Sequence, residues 1–329
     1  MIRLDSIKIE RFRGIRTGEV SGFVDVNLMI GRNNCGKSTV AEATTLATVG
    51  PIYGGGVLLP PQPHGAFPRR ATDTWVIDRR EKSLGSAEIW YGTDPSSSYA
   101  CNATLVDGAG AQILHSGLIV DSPNRVKEII RVGGSEDAVS FANRVQTFVP
   151  SDAMRVELEN AVWQQLLTMR KDKALVAAIN DVFGMNVEQL NLPPSGRMML
   201  LFPDHGLPVD VHGDGTRAVL RSLIVLASLQ GTLFIMEEPE CHQHPGSLEK
   251  FTRAVCKLAK SQSVQLLITT HSIECVKAFL AAAEECGSES AVFHLTLDEG
   301  ELTSRRLDAE TVESLQSTGV DVRTLDLYV

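Results

Sequence analysis

The sequence has 329 residues, of which 43% are hydrophobic and 22% charged, as in globular proteins rather than disordered or fibrous ones. This length suits one large α/β domain or one domain with a substantial insertion. The formal net charge of −9 means that any nucleic-acid surface must be a local basic patch or come from a partner. Aromatic residues make up only 5%, which argues against broad stacking platforms for single-stranded nucleic acid.

Cysteine spacing and the N-terminus indicate the compartment. The six cysteines show no C-x-x-C pair, so we expect reduced thiols rather than a disulfide framework or zinc ribbon. The N-terminal segment is charged throughout, unlike a signal peptide. No window approaches the roughly 20 apolar residues of a membrane span. The sequence therefore predicts a cytoplasmic protein without membrane contact.

The first segments predict a phosphate-binding loop. "IRLDSIKIERFRGI" alternates apolar and polar residues like a half-buried strand, and "VDVNLMI" reads as a second strand. The next residues, "GRNNCGKS" at 31–38, fit the G-x-x-x-x-G-K-[ST] pattern, and "KSTVAEATTLATV" continues with helical character. A phosphate loop requires this strand, loop and helix order, so we expect a bound nucleoside triphosphate.

The chemistry of such a loop assigns roles to particular groups. Backbone N–H groups of residues 32–39 would point at the β-phosphate, and the following helix N-terminus favours the same negative charge. Lys37 would reach the β- and γ-phosphates, and the Ser38 hydroxyl would hold Mg²⁺.

The middle of the chain predicts additions to a nucleotide-binding core. Residues 53–68 are rich in Gly and Pro and read as a long loop. Short alternating segments predict an antiparallel β subdomain over residues 69–150, including a "TWVIDRR" strand. An apolar period near 3.6 predicts a short helical insertion over 151–184, with Ser151 or Asp152 as N-cap and Gly184 as terminator.

The C-terminal half predicts the rest of the core. "RMMLLFPDHGLPVDV" reads as a hairpin, and the buried runs "TLFIMEEPE" and "VQLLITTHS" alternate with helices. This alternation predicts a mainly parallel sheet covered on both faces, with the tail from Ala291 adding edge strands. We therefore predict one α/β P-loop domain, whose core comprises residues 1–50 and 197–329.

Polar residues follow two of the buried strands. Glu237 and Glu238 end "LFIMEE", and His271 follows "LLITT". A carboxylate at a strand tip can bind Mg²⁺ through water, and the next can activate an attacking water as general base. In isolation each would be a solvent-facing residue, but their order after a phosphate loop favours Glu237 on the metal, Glu238 as base and His271 as a γ-phosphate sensor.

Five motifs together resemble those of a known family. "IERFRGI", "GRNNCGKST", "GDGTR", "EEPECHQHP" and "TTHS" follow one another from Ile9 to Ser272. In this order they resemble the ABC-type ATPase heads of the SMC, RecF and OLD (overcoming lysogenization defect) group. "GDGTR" and the Glu-Glu-Pro-Glu element followed by His-x-His-Pro look most like the OLD branch.

The resemblance implies a set of site residues for ATP and Mg²⁺. Walker A would comprise Gly31, Arg32, Asn33, Asn34, Cys35, Gly36, Lys37, Ser38 and Thr39. Glu237 would take the Walker B metal position, Glu238 that of the catalytic glutamate and His271 that of the switch histidine. In relatives the signature motif caps the γ-phosphate on the opposite subunit, which implies a homodimer or higher symmetric oligomer. That motif would comprise Gly213, Asp214, Gly215 and Thr216.

Some features depart from the family pattern, and others could be read as binding sites. Gly213 stands where many ABC heads have a serine, and no glutamine lies at the expected Q-loop turn, since Gln146 falls on a strand. "CHQH" at 241–244 has ligand-type residues but no further ligand pair at suitable spacing. The basic segments "IERFRGIR" and "FPRRATDTWVIDRREK" each read as solvated faces.

Three functions stay open at this point. The first is an ATPase head that dimerises around ATP and controls a separate effector, a nuclease or toxin, in bacterial or archaeal defence. The tail after His271 leaves no room for the TOPRIM nuclease of many OLD proteins, so a nuclease would be a separate chain. The second is a RecF-like DNA-repair ATPase, which keeps DNA open as a ligand, and the third is a weakly hydrolysing nucleotide-gated scaffold.

Overall fold

The computed structural model describes residues 2–53, 99–121, 125–132, 140–141, 144–148, 163–164, 166–193 and 197–327. The strands are β1 Arg3–Phe12, β2 Ile15–Ser21, β3 Val26–Ile30, β4 Tyr99–Val106, β5 Gln112–Asp121, β6 Arg125–Val132, β7 Gln146–Phe148, β8 Gln189–Asn191, β9 Met199–Leu201, β10 Gly206–Pro208, β11 Leu233–Glu237, β12 Gln265–Thr269, β13 Ser290–Asp298 and β14 Glu301–Leu307. The helices are α1 Lys37–Tyr53, α2 Asp172–Phe183, α3 Asp214–Ser228, α4 Pro245–Ser261, α5 Ile273–Glu285 and α6 Ala309–Ser317, and Val209–Val211 and Val322–Leu327 form 3-10 turns.

One large mixed sheet organises the molecule. Its strand order is β6-β5-β4-β1-β2-β14-β13-β3-β12-β11-β7, and a second sheet of β10-β9-β8 stands apart. From β13 to β7 all neighbouring strands run parallel. Every residue of β3, β11 and β12 is buried, as strands covered on both faces require. The predicted α/β class, with its mainly parallel core, is confirmed.

The buried strands divide their side chains between two apolar layers. In β12, Leu266 and Ile268 join one core cluster with helices α2 to α6, whereas Leu267 joins a second cluster with β1, β4 and α1. Phe234 and Ile235 of β11 separate in the same way. Alternate residues of a strand point to opposite faces, so this division follows directly from the sequence. No helix in the described ranges is both long and apolar enough to cross a bilayer.

The N-terminal segment forms a hairpin instead of the single predicted strand. β1 ends at Phe12 and β2 begins at Ile15, with these two residues paired across the turn. At the turn, Arg13 is only 8% exposed, and its Nε lies 2.6 Å from Glu42 Oε2 on α1. The reading of this basic segment as a solvated face is therefore wrong for Arg13. It holds for Arg16, which pairs with Glu301 at the surface at 2.7 Å.

The predicted position of the tail strands is wrong. β13 pairs with β3 and β14 pairs with β2, so both lie inside the large sheet rather than at its edge. The run from Ala291 to Leu295 is entirely buried, as in a strand covered on both faces, and β13 has β3 and β14 as its two neighbours. Through these strands the parallel core continues into the antiparallel strands β1, β2, β4, β5 and β6.

Local turn and capping predictions can be compared with the described residues. Gly184 ends α2 in the left-handed conformation (φ 63°), and its N–H donates to Asn180 O at 2.8 Å, which confirms the predicted terminator. The hairpin of β9 and β10 is also confirmed. α1 continues to Tyr53, so the loop predicted to begin at that residue starts too early. The rest of that loop, the "TWVIDRR" strand and the proposed caps Ser151 and Asp152 lie outside the described residues.

We predict that Gln265→Leu lowers the free energy of unfolding by roughly 1–3 kcal/mol. The fully buried Gln265 amide accepts from Leu4 N at 2.8 Å and donates to Leu4 O at 3.0 Å and Val24 O at 2.8 Å. Leucine would leave the Leu4 N–H without this acceptor. Urea unfolding followed by circular dichroism measures the change, and Gln189→Leu, on an exposed strand position, should lie within about 0.5 kcal/mol of wild type. Equal stabilities of the two variants would contradict the prediction.

Candidate functional site

The predicted phosphate loop links β3 to α1 in a compact conformation. Gly31, Asn34 and Gly36 adopt φ angles of 136°, 64° and 95°. A Cβ atom at Gly31 would lie 2.4 Å from Leu295 O and 2.8 Å from Cys35 Sγ, so both space and backbone conformation require glycine there. β13 therefore forms one wall of the loop.

The Lys37 side chain turns back into its own loop. Its Nζ donates to Gly31 O at 3.0 Å and Arg32 O at 2.9 Å, and Cys35 Sγ lies 3.5 Å away. The residue is 6% exposed, and this burial lowers the pKa of its ammonium, with the Cys35 thiol acting in the opposite direction. A desolvated cation thus stands inside the loop, where anion binding is favoured.

The strand tips beside the loop bring the other predicted residues together. β11 and β12 run parallel with Glu237 opposite Thr269, and β12 runs parallel to β3. The carboxyl ends of β3, β12 and β11 therefore meet at one edge of the sheet, where open α/β sheets bind ligands. Glu237 is 1% exposed, whereas Glu238 is partly exposed with its Oε1 3.9 Å from His271 Nε2.

Glu238 leaves the sheet in an unusual backbone conformation. Its φ is 45°, a region that costs a residue with a side chain of order 1 kcal/mol or more. Its N–H donates to Thr269 O at 2.8 Å, which holds this turn against the end of β12. The turn keeps one glutamate in the core and gives the next access to water.

Charges and burial around His271 set its protonation. Burial lowers the pKa of the imidazole, and the positive charge of Lys37 lowers it further, while Glu238 and Glu240 act in the opposite direction. A pKa below the usual value of about 6.5 means that the imidazole is mainly neutral at pH 7. A neutral ring retains both a hydrogen-bond donor and an acceptor.

Two residues at this edge were missed by the sequence interpretation. Glu240 Oε1 accepts from Thr270 Oγ1 at 2.5 Å and from His271 N at 3.3 Å. Arg323 Nη1 donates to His271 O at 2.8 Å. Glu240 lies within the quoted "EEPE" motif and was open to recognition, whereas no motif surrounds Arg323.

The signature segment contacts a different part of the chain. Gly213 is the N-cap of α3, and a Cβ at Gly215 would lie 2.4 Å from His242 O. Gln243 Nε2 donates to Gly215 O at 2.9 Å. In the ranges that the structure describes, these contacts join residues 213–216 to the segment after β11, not to the phosphate loop. The predicted contact of this segment with a nucleotide on another subunit stays a prediction.

The residues of "CHQH" have separate neighbours. Cys241 Sγ lies 3.6 Å from Glu238 Oε2, and His244 is the N-cap of α4, with Nδ1 accepting from Gly246 N at 3.2 Å. His242 is exposed with a φ of 66°. Gln146 lies on β7 at the sheet edge, and Ser151 and Asp152 are outside the described residues.

Comparisons with known proteins find similarity in part of the sequence and in the fold. A profile of the AAA ATPase domain family matches residues 143–276, which include Glu237, Glu238 and His271. The uncharacterized protein MJECL11 of Methanocaldococcus jannaschii is 29% identical over 112 residues, or 34% of this chain and 98% of that protein.

Solved structures are similar over nearly the whole chain. The SMC head domain from Thermotoga maritima has a TM-score of 0.52 and 12% identity, covering 93% of this chain and 100% of that one. The Smc head of Pyrococcus furiosus, bound to the C-terminal domain of ScpA, has a TM-score of 0.59 and 9% identity, covering 97% of this chain and 99% of that one.

The fold is that of SMC head domains, and residues 143–276 are similar to the AAA ATPase domain family. Both similarities support the resemblance to ABC-type ATPase heads of the SMC, RecF and OLD group that the order of the motifs indicated.

We predict that Gly215→Ala lowers the free energy of unfolding by about 1–3 kcal/mol, because its methyl group would collide with the His242 backbone. Gly213→Ala is the matched control, since a Cβ there meets nothing within 4 Å, and it should cost less than about 1 kcal/mol as an N-cap change. Urea unfolding of both variants measures the difference. A Gly215→Ala variant as stable as Gly213→Ala would show that the packing of these two segments is not tight.

Proposed function

We propose that the protein hydrolyses ATP at the edge formed by the tips of β3, β12 and β11. The observation that carries this proposal is the placement of Glu238 and His271 side by side, 3.9 Å apart, next to a phosphate loop with a buried lysine. In the proposed reaction Glu238 accepts a proton from the attacking water, and His271 contacts the γ-phosphate. Residues 31–39 bind the phosphates, and Lys37 exchanges its two carbonyl acceptors for phosphate oxygens.

The donor atoms at this edge suit magnesium. Mg²⁺ prefers hard oxygen ligands and retains several waters, and the buried Glu237 carboxylate and the Ser38 hydroxyl at the start of α1 offer such oxygens. When bound, the ion would neutralise phosphate charge. Glu237 and Ser38 would orient it beside the loop, and Glu238 stays available as the base.

We further infer that two heads bind ATP between them. Gly213 and Gly215 begin α3, and the N–H groups and positive dipole end of a helix favour an anion. The contacts of Gly215 with His242 and Gln243 would hold the N-terminus of α3 in a fixed orientation. In the proposed dimer each segment 213–216 faces the nucleotide on the other subunit.

The proposed output of ATP turnover is control of a separate protein effector, a nuclease or toxin, in defence of a bacterial or archaeal cell. The ScpA complex of the Pyrococcus furiosus head supports the idea that a head of this fold works on a protein partner. The six free cysteines are consistent with a reducing cytoplasm. A DNA-repair role would need a basic surface, to which the buried Arg13 contributes nothing.

We predict that Lys37→Ala weakens ATP binding by at least about 100-fold. The variant loses the buried ammonium group that donates to the Gly31 and Arg32 carbonyls of the loop and would donate to the phosphates. Isothermal titration with ATP and Mg²⁺ measures the affinity. Lys250→Ala, an exposed lysine on α4, is the control and should bind like wild type. Unchanged ATP affinity in Lys37→Ala would remove this loop from the proposal.

We predict that Glu238→Gln binds ATP but releases phosphate about 10²–10⁴-fold more slowly, because the amide cannot accept the proton of the attacking water. Because it retains ATP, this variant should change from monomer to dimer only with ATP and Mg²⁺ in a solution-mass measurement. Glu249→Gln, exposed on α4, should turn over normally. Normal turnover in Glu238→Gln would contradict the role of Glu238 as general base. A solution mass that does not change with ATP would contradict the ATP-bound dimer.

A further inference from the structure

A C-terminal turn contacts both sides of the proposed ATP site. The 3-10 turn Val322–Leu327 carries Arg323, whose Nη1 donates to His271 O at 2.8 Å. The same turn carries Asp326, whose Oδ2 accepts from Arg32 Nη1 of the phosphate loop at 3.2 Å. One short segment therefore connects the loop after β3 with the turn after β12.

Arg323 is held in place by its own segment. Its Nε donates to Asp321 Oδ1 at 2.9 Å and its Nη2 to Asp321 Oδ2 at 2.7 Å, while its backbone N–H donates to Oδ1 at 3.0 Å. The paired geometry raises the pKa of Arg323 and lowers that of Asp321. A two-pronged arginine–carboxylate pair fixes the direction of the remaining N–H groups, and these include the Nη1 group that reaches His271.

The base of the turn rests on the sheet. The ring Nε2 of the buried His294 on β13 lies 3.3 Å from Arg323 O and 3.8 Å from Asp326 Oδ1. Leu325 of the same turn belongs to the main core cluster. These contacts anchor the turn to the strand that also forms a wall of the phosphate loop.

The peptide groups on both sides of His271 are held from opposite directions. Glu240 Oε1 accepts from the His271 N–H at 3.3 Å, and Arg323 donates to its carbonyl at 2.8 Å. Neither contact uses the imidazole ring, which stays free to face Glu238. The backbone that carries the ring is thus fixed by two side chains from separate elements.

We propose that Arg323 is a positioning residue that aims His271 at the γ-phosphate, and that the turn Val322–Leu327 links this histidine to the phosphate loop. The inference rests on the proposed ATP hydrolysis and adds a second group of residues that it requires. Arg323 acts through the His271 backbone and through its charge, without contact to the reacting atoms.

The charge of Arg323 supplies an independent readout. Burial and the charges of Lys37 and Arg323 lower the pKa of the His271 imidazole, and Glu238 and Glu240 raise it. Arg323→Gln removes the positive charge, and its side chain ends two bonds before the Nη1 position that reaches His271 O. The pKa of His271 should therefore rise in Arg323→Gln, and histidine NMR titration measures it without any need for turnover.

The kinetic test separates positioning from general damage. Arg323→Ala should reduce kcat for phosphate release about 10- to 100-fold, as expected when a reacting group is misplaced, with affinity for a non-hydrolysable ATP analogue within about twofold of wild type. Arg253→Ala is the matched control, because it removes an arginine–glutamate pair of 2.7 Å on an exposed helix surface. It should retain wild-type kcat.

The outcomes decide between the two proposals. Wild-type kcat in Arg323→Ala, or an equal loss of kcat and analogue affinity, would overturn the positioning role while phosphate release by wild type still stands. If wild type releases no phosphate, ATP hydrolysis fails, and the His271 titration in Arg323→Gln still tests the contact. An unchanged His271 pKa in Arg323→Gln overturns the inference. Arg323→Gln also replaces Arg323→Ala in the kinetic test if the alanine variant does not fold.

Discussion

Burial of β3, β12 and β11 on both faces is the constraint on which the site depends. Along these strands every apolar side chain enters one of two apolar layers and every polar side chain is also buried, so an exposed polar group has no place before the strand ends. Chemistry is therefore confined to the first residues beyond the carboxyl ends, and Gly31, Glu238 and His271 stand there. Glu237 is the one ionisable side chain within these three strands, a carboxylate with 1% exposure in the last position of β11. Burial of a carboxylate is costly unless a partner or ion compensates it, which is why this position suits a metal ligand.

The strand tips are tied to one another by backbone hydrogen bonds that continue beyond the regular ladder. Glu238 N donates to Thr269 O at 2.8 Å, and Thr270 N donates to Met29 O at 3.1 Å. These bonds transmit the spacing of the sheet to the polar turns, so the distance between Glu238 and His271 is set by neighbouring strands rather than by flexible loops. The positive φ of Glu238 is the local cost of this arrangement, because the chain must turn sharply to keep the bond to Thr269 while the side chain leaves the core.

The sequence predicted what depends on neighbours along the chain and missed what depends on partners far away. The phosphate loop, the buried strands and the Gly184 terminator follow from local pattern, because backbone freedom, burial and helix ends each have their own residue preferences. The central position of β13 and β14 is a matter of strand order, which pairs Phe293 with Met29 and leaves no trace in either segment alone. Likewise, the burial of Arg13 required Glu42 on α1. Arg323 follows His271 by 52 positions, and nothing in its own surroundings indicates that contact.

Electrostatics explains why the positive groups at this edge matter for a polyanionic ligand. Glu237, Glu238 and Glu240 place three carboxyl groups next to the loop, and the charged form of each repels phosphate at short range. Lys37 opposes this repulsion from inside the loop, together with backbone N–H groups and the start of α1. A magnesium ion carried with the nucleotide would offset the rest. Burial and the charge of Lys37 lower the pKa of the His271 imidazole, and Arg323, whose Nη1 donates to the His271 carbonyl, lowers it slightly further. In the proposed site Lys37 therefore binds the ligand, whereas Arg323 positions His271, the residue that contacts the γ-phosphate.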